Sequence, residues 1–138
     1  MSRKDFYHEH VRAALIKAGW IITDEQLPLR FFDTRLYIDL AATKTEVDES
    51  VSRITVEVKN FRDRFDYVNE FQKALGQYLM YRQLLQLREL GHVLYLAIPE
   101  NASHKFFQDE LIASLLTTHS VKLLTFDPDT QTIVKWNP

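Results

Sequence analysis

The sequence predicts an α/β fold, a mixed sheet flanked by helices. Three observations carry this. Two short stretches, "TRLYIDLAAT" and "RITVEVKNF", alternate apolar and polar residues as half-buried strands do. From about Asp66 to Leu90 the period changes to helical. The stretch that follows, "HVLYLAIP", is almost wholly apolar, as a strand covered on both faces must be.

The remaining elements fall around these. "DFYHEHVRAALIKAGW" spaces Phe6, Val11, Ala14, Leu15 and Ala18 as one helical face, with Gly19 as its stop. "WIITDE" reads as a short strand and "LRFF" as a second. In "TRLYIDLAAT", Leu36, Ile38 and Leu40 are expected on one side, with Tyr37 and Asp39 on the other. "TKTEVDES" reads as a hairpin loop. In the long helix, Phe71, Leu75, Tyr78, Leu79, Arg82 and Leu85 form the apolar face, and Gly91 is the expected stop. Ser103 is the expected cap of a helix over "SHKFFQDELIASLLTTH", and "VKLLTFD" and "TIVKWN" close the chain as strands joined by "DPDTQ". The order is one helix, three or four strands, a long helix, a strand, a helix and two strands. The strands before the long helix form an antiparallel meander, and the apolar strand after it is reached by a crossover and pairs in parallel. No linker divides the chain, so residues 1–138 are expected to form a single domain.

Composition narrows function. The 138 residues are 46% hydrophobic and carry a formal charge of −2, which is no long-range basic footprint for nucleic acid. Lys59, Arg62, Arg64 and Lys73 are local exceptions, diluted by Asp63, Asp66 and Glu70. The absence of cysteine removes disulfides, thiolate metal sites and thiol nucleophiles, and fits a reducing cytoplasm. The N-terminus lacks the apolar core of a signal peptide, and no apolar run reaches membrane-spanning length, so a cytoplasmic protein with no membrane partner is expected. There is no Gly-rich phosphate loop, no zinc spacing among the histidines and no nucleophilic triad. His8 is expected at the surface or in the first helical turn, Gly76 in close packing against the sheet, and Trp20 and Trp136 as core or interface anchors.

Glu57 and Lys59 share one side of a strand whose other side is Ile54, Val56 and Val58. A hairpin brings Asp39 beside them. Two carboxylates that converge repel unless a cation sits between them. Magnesium is the hard, oxygen-seeking ion suited to that gap, and an adjacent lysine orients a water or offsets phosphate charge. The bland readings are a surface ion pair for Glu57 and Lys59 and a solvent-side residue for Asp39.

The spacing Asp39–x(17)–Glu57–x–Lys59 resembles the signature of the PD-(D/E)xK nuclease superfamily, whose restriction-endonuclease-like fold has an αβββαβ core. "GQYLMYR" resembles the Q-x-x-x-Y motif of its RecB-like branch, with Gln77 and Tyr81 on one helix face and Lys73 a turn earlier. Ile38 replaces the proline of the superfamily name. The resemblance implies that Asp39, Glu57 and the Val58 carbonyl hold Mg²⁺ or Mn²⁺, that Lys59 positions the attacking water, and that Gln77 and Tyr81 brace Lys59 or contact the substrate backbone. Many members add an acid from the first helix; Asp5 and Glu9 are both candidates.

A closer resemblance spans residue 4 to the C-terminus. "KDFYHEHVRAALIKAGW", "YIDLAA", "TVEVKNF", "ALGQYLMYRQLL", "LYLAIPE", "FFQDELI" and "IVKWNP" are similar to the XisH family, the FdxN element excision controlling factors of cyanobacteria. This implies a role in the programmed excision of a DNA element during heterocyst differentiation. It also implies DNA as a partner, a companion protein of the XisI type and a separate recombinase. Two functions follow: a magnesium-dependent DNA endonuclease, or a non-catalytic accessory that holds XisI or the recombinase. A homodimer is compatible with this fold, with the C-terminal segment as the pairing edge.

Overall fold

The structure is a computed structural model and describes residues 6–137. Asp5, a candidate acid on the first helix, lies outside them. Helix α1 (His8–Lys17) leads into strands β1 (Ile21–Phe31), β2 (Thr34–Thr45) and β3 (Val51–Val58). Helix α2 (Tyr67–Leu87) then precedes β4 (Val93–Pro99), the short helix α3 (Glu100–His104), α4 (Glu110–Thr118), β5 (Leu123–Asp127) and β6 (Thr132–Asn137). The strands form one sheet in chain order, antiparallel at β1–β2, β2–β3 and β5–β6 and parallel at β3–β4 and β4–β5. The expected meander and crossover are therefore present. No helix among the described residues is long and apolar enough to cross a membrane.

Each sheet face has its own apolar cluster. On one, Val11 and Leu15 of α1 pack on Leu40, Ala42, Ile54, Val56, Val58 and Phe126. On the other, Phe71, Ala74, Tyr78, Tyr81 and Leu85 of α2, with Ile112 and Leu116 of α4, pack on Leu94, Leu96, Ile98 and Leu123. Tyr81, a candidate site residue, thus lies in this core.

The local chemistry departs from expectation at several points. β1 is one strand where two are expected, interrupted by a bulge near Thr23 and by Gln26 with φ 60°. α1 stops at Gly19 (φ 92°), where the amides of Gly19 and Trp20 donate to the carbonyls of Ile16 and Leu15. α2 ends in the same way but earlier than Gly91, with Glu89 (φ 52°) as the left-handed residue and the Leu90 amide donating to the Leu85 carbonyl. Ser103 caps no long helix. The chain makes α3 and a 3-10 turn first, and Asp109 then caps α4 by accepting from the Leu111 and Ile112 amides.

The largest departure is at Asp39. Ile38 packs in the α2 cluster and Leu40 in the α1 cluster, although residues two apart on a strand should share a face. β1 turns over at the same level: Leu27 joins the α2 cluster, whereas Glu25 reaches His8 of α1. Gln26, between them, lies opposite Asp39 in the register. The β1–β2 hairpin beyond this level therefore turns its apolar side, Leu27, Leu29, Leu36 and Ile38, onto α2.

Tyr78 ties α2 to the sheet. Its buried hydroxyl donates to the Leu94 carbonyl (2.9 Å) and accepts from the Lys122 amide (3.1 Å). Tyr78→Phe strips both groups of a partner and is expected to lower the unfolding free energy by about 2 kcal/mol, read by urea denaturation. Burial raises this phenol above its ordinary 10.0, so the stability it confers is complete below that pH and is lost as pH rises past it. The difference between wild type and Tyr78→Phe is thus expected to hold up to about pH 10 and to narrow as pH rises above it.

A carboxylate-bridged fork in the sheet as candidate active site

The β2–β3 ladder runs from Thr45↔Val51 to Leu40↔Val56 and stops there. The next pair in that register is Asp39 and Glu57. Side chains take over from backbone at this step. Asp39 Oδ2 accepts from the Val58 amide at 2.7 Å, and Glu57 Oε1 accepts from the Asp39 amide at 3.3 Å. Beyond it β2 stays with β1, while the Lys59 amide donates to the Ala97 carbonyl of β4 at 2.9 Å. The sheet forks, and the two carboxylates sit in the crotch, 4% and 5% exposed.

Because Val56 and Val58 face α1, Glu57 and Lys59 face α2. The side read as polar in the sequence is therefore covered by a helix. Lys59 Nζ lies 3.6 Å from Glu57 Oε2 and donates to Gln77 Oε1 at 2.6 Å. The structure thus brings Asp39, Glu57, Lys59 and Gln77 together. Tyr81 sits one turn beyond Gln77, 7% exposed. Lys73, one turn before Gln77, is exposed.

The donor set suits a hard divalent cation: two carboxylates and the Val58 carbonyl, all oxygen, carried by backbone that the fork holds in place. Each carboxylate gives one oxygen to an amide, and a carboxylate has lone pairs to accept more. Lys59 balances one of the two negative charges.

A second polar cluster lies on the α1 side. His8 is buried, 1% exposed, and its Nε2 is 3.0 Å from Glu25 Oε1. Arg12 Nε is 3.4 Å from Glu25 Oε2. Ligand atoms of His8, Glu9 and Glu25 lie within 4.8 Å of one another. His8 opens the first turn of α1, one of its two expected places, but it is buried rather than at the surface because β1 lies across α1 and Glu25 supplies a partner that no local pattern announces. Glu25 stands opposite Leu40, one residue from Asp39, so this cluster adjoins the fork.

The XisH family model matches residues 1–134. The chain belongs to the XisH family. It is 35% identical to an XisH family protein from Nostoc punctiforme PCC 73102, whose crystal structure superposes with a TM-score of 0.85 over 97% of this chain and 100% of that one. It is 36% identical to a FdxN element excision controlling factor protein from Anabaena variabilis, with a TM-score of 0.86 over 98% of this chain and 100% of that one. No curated protein matches. The XisH chain thus shares a whole mixed α/β architecture with two solved relatives.

Gly76 adjoins Gln77 on α2 and does not pack against the sheet. It is exposed, and a Cβ there would meet no atom within 4 Å. Gly76→Ala is therefore expected to stabilise the protein by about 1 kcal/mol, measured by thermal or urea unfolding.

Proposed function

We propose that this XisH-family chain acts in the controlled excision of a DNA element, and that it does so as a restriction-endonuclease-like protein with a magnesium- or manganese-dependent phosphodiester-hydrolysis site. The observation that supports this reading above the others is the pair of buried carboxylates, Asp39 and Glu57, at the fork with Lys59 Nζ 3.6 Å from Glu57. The name borne by the Anabaena variabilis relative supplies the excision role.

Asp39, Glu57 and the Val58 carbonyl would hold the cation. The bound ion supplies Lewis acidity, which favours a nucleophilic water and stabilises charge on the phosphoryl oxygens. An ammonium carries three donors, and Lys59 directs one to Gln77 and one towards Glu57. The third orients a water or meets a phosphate oxygen. Gln77 is a positioning residue that fixes the lysine, and Tyr81 packs the turn of α2 behind it. In the hydrolysis, the water gives up a proton to solvent as its oxygen bonds to phosphorus, the phosphorus–oxygen bond to one sugar breaks, and the departing oxygen takes up a proton from solvent.

A second reading is a non-catalytic accessory that holds a companion of the XisI type or a recombinase. Exposed apolar residues at the opposite end of the sheet favour it: Ile21, Val47, Val51 and Val93 are 67%, 104%, 52% and 41% exposed. Cleavage separates the two. The nuclease reading expects Mg²⁺ or Mn²⁺ to support cutting of single-stranded, duplex or branched DNA, with Glu57→Gln reducing it by at least about 100-fold. In EDTA, Asp39→Asn is expected to be at least as stable as wild type, since it relieves repulsion and keeps an acceptor, whereas Glu57→Gln also gives up its pairing with Lys59 and is expected to stay within about 1 kcal/mol of wild type. Added Mg²⁺ should raise the melting temperature of wild type alone. A folded Glu57→Gln variant that cuts as wild type does would refute the assignment.

A further inference from the structure

The segment after Lys59 has a design of its own. Asn60 and Phe61 turn sharply, Phe61 with φ 44°, and both amides donate to Glu70 Oε2 at 3.2 and 3.0 Å. A 3-10 turn, Arg64–Asp66, follows, capped by Asp63, which accepts from the Phe65 amide at 3.0 Å. Asp66 accepts from Asn69 Nδ2 at 3.2 Å. The three acids that dilute the basic residues in the sequence are thus committed to shaping the loop. The residues it presents are Arg62, Arg64 and Phe65, all exposed, with Phe65 at 88%.

Two guanidinium–aromatic pairs form there. Arg62 Cζ lies 3.7 Å from the centre of the Phe6 ring, and Arg64 Cζ lies 5.0 Å from that of Phe65. Phe6 is itself 56% exposed. The platform is joined to the fork, since Arg62 is three residues beyond Lys59, about 11 Å at full extension. The Tyr7 amide donates to Asn60 Oδ1 at 3.2 Å, which fixes the start of α1 beside it. Phe6 also packs edge-on against Tyr7 at 5.0 Å and stacks with His10 at 6.3 Å, whereas Phe65 stands almost wholly in water, so each exposed ring is paired with a guanidinium. Flat π-faces interleaved with arginines are the means by which unpaired bases and their phosphates are held without reading sequence.

We propose that Phe6, Arg62, Arg64 and Phe65 form a stacking platform for single-stranded nucleic acid, which feeds an unpaired strand past Lys59. This deepens the hydrolytic reading and rests on it for the fate of the strand, but not for binding. The test is fluorescence anisotropy with a labelled oligodeoxythymidine of about 12 nucleotides, in Mg²⁺ and in EDTA, on the Glu57→Gln background so that the strand stays intact. Phe65→Ala is expected to weaken binding about tenfold. Arg62→Ala with Arg64→Ala should lower the slope of log affinity on log salt by about 1.4, at about 0.7 per phosphate. A duplex of the same length should bind more weakly. Unchanged affinity in Phe65→Ala, or equal affinity for the duplex, overturns the proposal. If no DNA is cut by wild type yet oligonucleotide binding still depends on Phe65, the hydrolytic reading fails and the platform stands.

Discussion

The fork at Asp39 and Glu57 is the constraint on which the rest of the structure depends. A sheet that splits leaves backbone amides without carbonyl partners, and buried amides must be satisfied. Here two acidic side chains do it, Asp39 for Val58 and Glu57 for Asp39. The device ends the β2–β3 ladder, lets the β1–β2 hairpin turn its apolar side onto α2, and frees the end of β3 to continue beside β4. It also leaves two carboxylates adjacent in a poorly hydrated place. Carboxamides could accept the same hydrogen bonds at lower electrostatic cost. In the proposed hydrolysis the use of that charge is to hold the cation.

That double duty separates two effects that are often confounded. Removal of either side chain to alanine strips a buried amide of its acceptor as well as the site of a charge, so lost activity would be ambiguous. The isosteric amides remove the charge while keeping one acceptor oxygen for the fork. Gln77 is the third support, because it holds Lys59 from α2 rather than from the sheet. The position of the ammonium therefore reports the docking of α2, which Tyr78 secures from the same helix.

Much of this was legible in the residues. Period-2 alternation located β2 and β3, the helical period located α2, and the apolar β4 announced its burial and parallel pairing. Asp39, Glu57 and Lys59 could be placed together because hairpin register is a local rule, whereas Gln77 was named through the resemblance of "GQYLMYR" to a known motif. The reversal at Asp39 was not legible, since alternation assumes an unbroken ladder and nothing nearby marks the break. Glycine would have flagged the left-handed residues opposite it and at the end of α2, but Gln26 and Glu89 occupy those positions. His8 and Glu25 are 17 residues apart, and only the packing of β1 on α1 joins them. Tyr81 was named with Gln77 from the same motif, and its burial was not legible there, since α2 presses a stripe of Phe71, Ala74, Tyr78, Tyr81 and Leu85 into the core.

The net charge of −2 argues less against a nucleic-acid partner than the sequence suggests. Long-range steering depends on the whole field, but contact affinity depends on which charges face the ligand. Asp63, Asp66 and Glu70 are committed to amides of the backbone or of Asn69, and Asp39 and Glu57 are buried in the fork. An acid that accepts from backbone keeps its charge but is held in place by the loop it shapes, whereas Arg62 and Arg64 extend from the outside of that loop. The proposed platform would attract phosphate weakly from afar and hold it at short range. Its selectivity would rest on the stacking of unpaired bases, which salt screens little, more than on diffusion down an electrostatic gradient.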